Sequence, residues 1–372
     1  MLHKILIDAA VPYIQGVFEP YFEQVIYVPG ASIDRALAAD ADAMVIRTRT
    51  KCNAALLEGS KVQAIATATI GMDHIDAQWC AAHGIDAFNA PGCNADGVME
   101  WVFAALKVFE KRGVGGFISR TGRDTRSDAA KVFENSGGGF ISRTGEDSHA
   151  NTDGAVVCDT CGSPSVQLTL GVIGVGQVGH RVADMGRRRG FRVLENDPPL
   201  AAKGTDRELV DLDTLLAQSD IVTVHIPLWP ENRDFASDDF FEKMKSGAIF
   251  LNASRGGIVD EEALLKHRSK LSGLAVDVWK GEPAINPDLL SAADIATPHI
   301  AGYTKVGKVN GTVASVRGIA RHFGISQLEN FSIQHSYKPY DIDGYDILAD
   351  DAALRSDPSQ FESLRNHYNL RG

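Results

Sequence analysis

Residues 168–181 read LTLGVIGVGQVGHR, and residues 191–199, FRVLENDPP, complete the unit. An apolar run, a glycine turn spaced Gly174-x-Gly176-x-x-Gly179, an amphipathic segment and a second apolar run ending at Asp197 predict strand, turn, helix and strand. In such a unit the first glycine permits a tight turn, the second lets a pyrophosphate approach the backbone, and the third brings helix and strand together. The helix points its free N–H groups at the pyrophosphate. An acid at the end of the second strand can hydrogen-bond the adenosine ribose hydroxyls and repel a 2′-phosphate, which favours NAD over NADP. The glycine spacing alone is a weak signal; the strand, helix and acid around it make the stretch a dinucleotide site.

The same rhythm extends outward on both sides. KILIDAA (4–10), QVIYVPG (24–30), AMVIRTRT (43–50), VQAIATATIG (62–71) and IDAFNAPG (85–92) precede the glycine unit. TLGVIG (169–174), RVLEND (192–197), IVTVHIP (221–227), AIFLNAS (248–254), GLAVDVW (273–279) and IATPHI (295–300) run through and beyond it. Short apolar runs separated by helical segments imply parallel strands joined by crossovers, an α/β chain. Residues 97–112 (GVMEWVFAALKVFEKR) and 305–323 carry helical spacing. The rhythm breaks once. The octapeptide GGFISRTG occurs at 115–122 and again at 138–145, and residues 113 to about 166 are rich in Gly, Ser, Thr and Asp. That stretch reads as a long irregular insertion, which a solvent-side loop tolerates at small entropic cost. The tail, 324–372, is polar and tyrosine-rich, ends FESLRNHYNLR, and suits a small appended module or a dimer contact.

At 372 residues the chain is long enough for two domains. Apolar content of 44% and charged content of 23% are those of a globular protein. A net charge of −11 argues against nucleic acid as a partner, while local arginines still admit a small anionic substrate. No apolar run reaches membrane-span length and the amino-terminal stretch is too short for a secretory signal, so no membrane partner and a cytoplasmic location are expected. The five cysteines, 52, 80, 93, 158 and 161, form no secreted framework. Cys158-x-x-Cys161 has no second pair at zinc spacing, and no metal is expected.

Three blocks of the second half carry chemistry: NASRGGIVDEEAL (252–264), DVWKGEP (277–283) and TPHIAGYT (297–304). With the glycine loop they resemble the D-isomer-specific 2-hydroxyacid dehydrogenases. IATATIGMDHID (65–76), APGCNADGVMEW (90–101), the DPP after the second strand and the tail IDGYDILADDAALRSDP (342–358) look like the branch of that family acting on 4-phospho-D-erythronate in pyridoxal 5′-phosphate synthesis. The resemblance implies two doubly wound parallel-sheet domains. One is a flavodoxin-like substrate domain from 1–100 plus 301–323. The other is a Rossmann NAD domain, 101–300, holding the insertion. A C-terminal dimerisation segment, 324–372, follows. The implied active site is the cleft between domains, and the implied assembly a homodimer.

The roles implied by the resemblance also make chemical sense. Oxidising a 2-hydroxy acid requires a base for the hydroxyl proton, and His299 is the candidate. Glu282 would hold its other ring nitrogen and favour the imidazolium. Arg255 would fork the substrate carboxylate. Gly174, Gly176, Gln177, Val178, Gly179, Asp197, Ile226, Asp277 and Gly302 would line the cofactor, Asp277 at the nicotinamide carboxamide. Thr48, Thr69 and Tyr303 would meet the substrate, and Asn94 either lies near the same cleft or simply forms a turn. Arg47 is the candidate for the substrate phosphate: alternation puts Arg47, Arg49 and Lys51 on one face if their strand continues. Arg355 is considered for a neighbouring subunit's cleft. One departure is visible. Where the family commonly reads His-Thr-Pro, this chain has His225-Ile226-Pro227, which removes a hydroxyl contact to NAD. The alternatives are another D-2-hydroxy acid (D-glycerate, D-3-phosphoglycerate or D-lactate) or a non-catalytic NAD-sensing regulator on the same fold.

Overall fold

Each of these apolar runs becomes a parallel strand, and the central strands are buried on both faces, which is why their runs are continuously apolar rather than alternating. The computed structural model describes residues 1–114, 156–157, 164–165 and 167–372. The duplicated octapeptide, Cys158 and Cys161 lie outside the described residues, as does nearly all of the insertion. The chain divides into two units: Met1–Gly97 with Gly302–Asp341 and Asn369–Gly372, and Val98–Ala301 with Ile342–Tyr368.

The first unit holds β1 (Leu2–Asp8), β2 (Phe22–Val28), β3 (Ala43–Ile46), β4 (Ala64–Thr67) and β5 (Asp86–Phe88) in the order β2-β1-β3-β4-β5. This is the flavodoxin-like order, with its reversal between β1 and β3. Side chains alternate: Ile5 and Ile7 pack with Val316, Ile319 and Ala320 of helix Lys305–Phe323, while Leu6, Met44 and Ile65 pack with Leu56, Leu57 and Cys80 on the other face. One expectation fails. β3 stops at Ile46 and residues 48–49 form a turn, so Arg47, Arg49 and Lys51 do not share a strand face. The polar run RTRTK has no apolar side to bury against the sheet.

The pair β6 (Val156–Val157) and β7 (Pro164–Ser165) is antiparallel. The second unit then builds β8 (Thr169–Ile173), β9 (Arg192–Asn196), β10 (Ile221–Val224), β11 (Ile249–Asn252), β12 (Gly273–Val276) and β13 (Ile295–Ala296) into one parallel sheet, ordered β13-β12-β11-β10-β8-β9. Beyond β9, Leu209 bridges Glu195 as a one-residue continuation of the sheet. The order therefore reverses at β8, the Rossmann arrangement, and the switch point lies at the carboxyl ends of β8 and β10.

The tail does not stay together. Residues 324–341 and 369–372 belong to the first unit and 342–368 to the second, where Leu354 and Phe361 are completely buried in the main core. Arg355 is also accounted for inside this unit. Its guanidinium donates to Asp351 and to the carbonyls of Leu290 and Ala293, which corrects the expectation that it reaches a neighbouring subunit. Among the described residues no helix is long and apolar enough to cross a membrane.

Candidate active site

The second unit assembles its polar residues at the carboxyl edge of its sheet. β8 ends in the glycine loop. Gly174 adopts φ +84°, and a Cβ there would press on the His225 carbonyl and on Ile226. A Cβ on Gly179 would overlap the Gly174 carbonyl, so this crossing of helix Gly179–Arg188 over the loop requires glycine. Gly176 faces open space, leaving room for a pyrophosphate to approach the backbone. Asp197 accepts from Val175 N–H at 2.8 Å with one oxygen and caps the next helix through Leu200 N–H at 2.9 Å with the other. The acid thus clamps the loop it was expected to accompany. An open glycine loop beside Ile226, an acid at the end of β9 and a free helix amino end at Gln177–Gly179 fit a dinucleotide.

β11 delivers Arg255. The Asn252 side chain accepts from Ser254 N–H and donates to the Arg255 carbonyl, shaping the loop, and Arg255 donates to the Ser254 carbonyl at 2.7 Å. A Cβ on Gly256 would overlap the Trp279 carbonyl, so the Arg255 loop lies directly against the loop after β12 that carries Glu282. On that loop, Trp279 N–H donates to Glu282 at 2.9 Å, and the Trp279 indole donates to the Thr297 carbonyl after β13. Three neighbouring strands, β11, β12 and β13, therefore present Arg255, Glu282 and His299 at one edge.

His299 Nδ1 lies 2.7 Å from Glu282 Oε2. The carboxylate partner keeps the proton on Nδ1 and leaves Nε2 as the acceptor. Burial alone would raise the Glu282 carboxyl. The charge and hydrogen bond of His299, the Trp279 N–H and the Arg365 guanidinium outweigh burial and hold it below the usual carboxylate range. His299 itself sits at φ +56°, a left-handed conformation costing roughly 1–2 kcal/mol in a non-glycine residue. Asp277 maintains it. The Asp277 carbonyl accepts His299 N–H at 2.7 Å, and its carboxylate accepts Ile300 N–H, Ala301 N–H and the Thr297 hydroxyl. Asp277 is 1% exposed, and burial pushes its carboxyl up against the opposing effects of His299 and those donors. The Trp101 indole in turn donates to the Thr297 hydroxyl. The sequence marked Asp277 for a cofactor contact; its place beneath the histidine loop had no local signature.

The first unit places its expected residues at the carboxyl edge of its own sheet. Arg47 follows β3 and donates to the Ala10 carbonyl at 3.3 Å, half-buried, while Thr48 is exposed in the turn. Thr69 follows β4, shares a 2.8 Å hydroxyl contact with Thr67 and donates to the Gly71 carbonyl. His74 Nε2 lies 3.0 Å from the Thr67 hydroxyl, an addition the sequence did not reveal. Tyr303 is half-buried under Lys308 Nζ, 4.2 Å from its ring centre. Gly302 lies in this unit, against the Asn94 side chain, whose Oδ1 is buried with no hydrogen-bond partner. Among the described residues no cluster of His, Cys, Asp and Glu could hold a metal.

Comparison with known proteins agrees with this geometry. The family profile described as "D-isomer specific 2-hydroxyacid dehydrogenase, NAD binding domain" matches residues 148–301. The chain is 36% identical to an erythronate-4-phosphate dehydrogenase of Bacteroides fragilis, over 99% of this chain and 96% of that one. It is 34% identical to one of Shigella flexneri, over 98% and 90%. Among solved structures, a D-lactate dehydrogenase of Aquifex aeolicus complexed with NAD and lactic acid superimposes with TM-score 0.61 at 24% identity, covering 89% of this chain and all of that one. A cofactor-bound 3-phosphoglycerate dehydrogenase of Entamoeba histolytica gives TM-score 0.62 at 22% identity, covering 90% and 99%. At that identity the structures attest the fold.

Proposed function

The chain belongs to the D-isomer-specific 2-hydroxyacid dehydrogenase family, among its erythronate-4-phosphate dehydrogenases, and we propose that it oxidises 4-phospho-D-erythronate to 2-oxo-3-hydroxy-4-phosphobutanoate, a step of pyridoxal 5′-phosphate synthesis. It is an NAD-dependent dehydrogenase. The observation that carries the catalytic reading is the 2.7 Å bond from His299 to Glu282 at the carboxyl edge of the dinucleotide sheet. A pure NAD sensor has no need of a carboxylate-oriented base there.

In this reading Gly174, Gly176 and Gly179 with the backbone of Gln177 and Val178 hold the pyrophosphate. Asp197 meets the ribose with the lone pairs its two backbone partners leave, and Ile226, Asp277 and Gly302 border the nicotinamide end. When bound, NAD accepts the hydride that leaves C2 of the substrate. The chain's own work is to place and deprotonate that carbon's hydroxyl. His299 Nε2 takes the proton, and Glu282 stabilises the imidazolium that results. Arg255 pairs with the substrate carboxylate and with charge developing on the 2-oxygen. Arg47 takes the terminal phosphate, and Thr48, Thr69 and Tyr303 take the remaining polar edge of the substrate.

A substrate panel followed by NADH absorbance tests the assignment. Turnover with 4-phospho-D-erythronate should exceed that with D-glycerate, D-3-phosphoglycerate and D-lactate; preference for an unphosphorylated acid would overturn the substrate. A homodimer follows from the tail's resemblance to the family's dimerisation segment, and sedimentation at micromolar concentration tests it. The buried free thiols of Cys52, Cys80 and Cys93 are in keeping with a reducing, cytoplasmic setting.

A further inference from the structure

Glu282 has a second partner that the dehydrogenase reading leaves unused. Arg365, on the carboxyl-terminal helix Phe361–Asn366, brings Nη1 to 3.9 Å from Glu282 Oε2, the same oxygen that receives His299. We propose that Arg365 is a positioning residue of the reaction: its guanidinium holds the Glu282 carboxylate in place and sets how strongly that carboxylate favours the protonated base.

The contact sits where a charge has effect. The Arg365 and Glu282 side chains are 16% and 18% exposed, so solvent screens them only partly. At 3.9 Å the contact is an ion pair rather than a hydrogen bond, and its influence on His299 runs through the charge of the carboxylate. The helix is firmly seated, since Phe361 is fully buried and the guanidinium lies 5.8 Å from the centre of the Phe361 ring. The same stretch of tail grips the base from behind: Asp351 accepts Ala296 N–H of β13, three residues before His299.

The charged groups facing the pair come from three elements. Asp277, at the end of β12, has its oxygens held by Thr297, Ile300 and Ala301. Arg365 and Glu362 come from the tail helix, where Arg365 Nη1 is 3.1 Å from Glu362 Oε1. His299 follows β13. Glu362 therefore competes with Glu282 for the same guanidinium, which gives the proposal two variants of opposite sign.

Neutralising Arg365 leaves the Glu282 negative charge less compensated, and the imidazolium becomes more favourable. The acid limb of kcat/KM for hydroxyacid oxidation, which needs neutral imidazole, then moves to higher pH. The limb for reduction of the 2-oxo acid, which needs imidazolium, moves the same way. A merely structural role would lower the plateau and leave both limbs where they are.

The inference rests on His299 being the base, so its test has a readout independent of turnover. Histidine Cε1–H resonances of the full-length protein without added NAD are titrated by NMR, with the His299 signal assigned by its loss in His299→Asn. Arg365→Met should raise that midpoint by about half a pH unit or more. Arg365→Lys, which keeps the charge, should return it close to wild type, and Glu362→Gln, at a side chain 42% exposed, should lower it. An unmoved midpoint in Arg365→Met overturns the proposal. If that variant does not fold, an unmoved midpoint in Glu362→Gln overturns it instead. A wild type that binds NAD but oxidises no 2-hydroxy acid would overturn the functional reading, and the titration would still decide the role of Arg365.

Discussion

His299 holds its strained backbone because Asp277 gathers three consecutive amides and the Thr297 hydroxyl around it. His299→Asn should cut turnover by roughly 10²–10⁴ while NAD binding, read by fluorescence, is kept. Unchanged turnover would remove the base from the mechanism. Glu282→Gln deprives the imidazolium of its anionic partner, so the acid limb of the oxidation profile should move to lower pH as the plateau falls. The folded-state Glu282 carboxyl lies below its ordinary value. Its contribution to stability is therefore complete above about pH 4.3 and is lost as pH falls through the folded value. Acid unfolding of Glu282→Gln should be correspondingly less steep there. Arg47→Ala should raise KM for a phosphorylated acid far more than for an unphosphorylated one; equal increases would reject Arg47 as the phosphate ligand. That Arg255, Glu282 and His299 meet at one sheet edge was legible because each stands in a block of distinctive residues. Arg365 and His74 were not. Arg365 meets a partner distant in sequence, and His74, seven residues from Thr67, carries no spacing of its own to read.

At the scale of elements, strands and their order were the most legible, since a parallel strand covered on both faces must be apolar throughout. The edges were least legible. β3 ends at Ile46, where the polar run RTRTK turns away at residues 48–49, and the sheet beyond β9 consists of the single bridge at Leu209. The glycine loop makes a sharp claim. Gly179→Ala would drive a methyl group into the Gly174 carbonyl, so NAD affinity should fall by at least about tenfold, or the second unit should lose stability in a thermal melt. A variant with both properties intact would contradict the close crossing of helix and loop.

For the whole chain, two units on separate parallel sheets were readable from the rhythm of runs, while the path of the tail was not. Its polar, tyrosine-rich composition looks like an appendage, yet Leu354 and Phe361 are fully buried among residues of the second unit. A few apolar side chains spaced along a polar segment do not announce the core they enter. Phe361→Ala should destabilise the protein by about 3–5 kcal/mol. A change under about 1 kcal/mol in denaturant unfolding would mean that the tail is dispensable to this core.

In the proposed function this chain oxidises a phosphorylated 2-hydroxy acid with His299 as its base. The most direct measurement is the initial rate of NADH formation from 4-phospho-D-erythronate and NAD, compared between wild type and His299→Asn at matched NAD saturation. Steady turnover is expected in the wild type, with a loss of at least about a hundredfold in the variant. Equal rates in both, or none in the wild type while D-lactate or D-glycerate is oxidised, would contradict it.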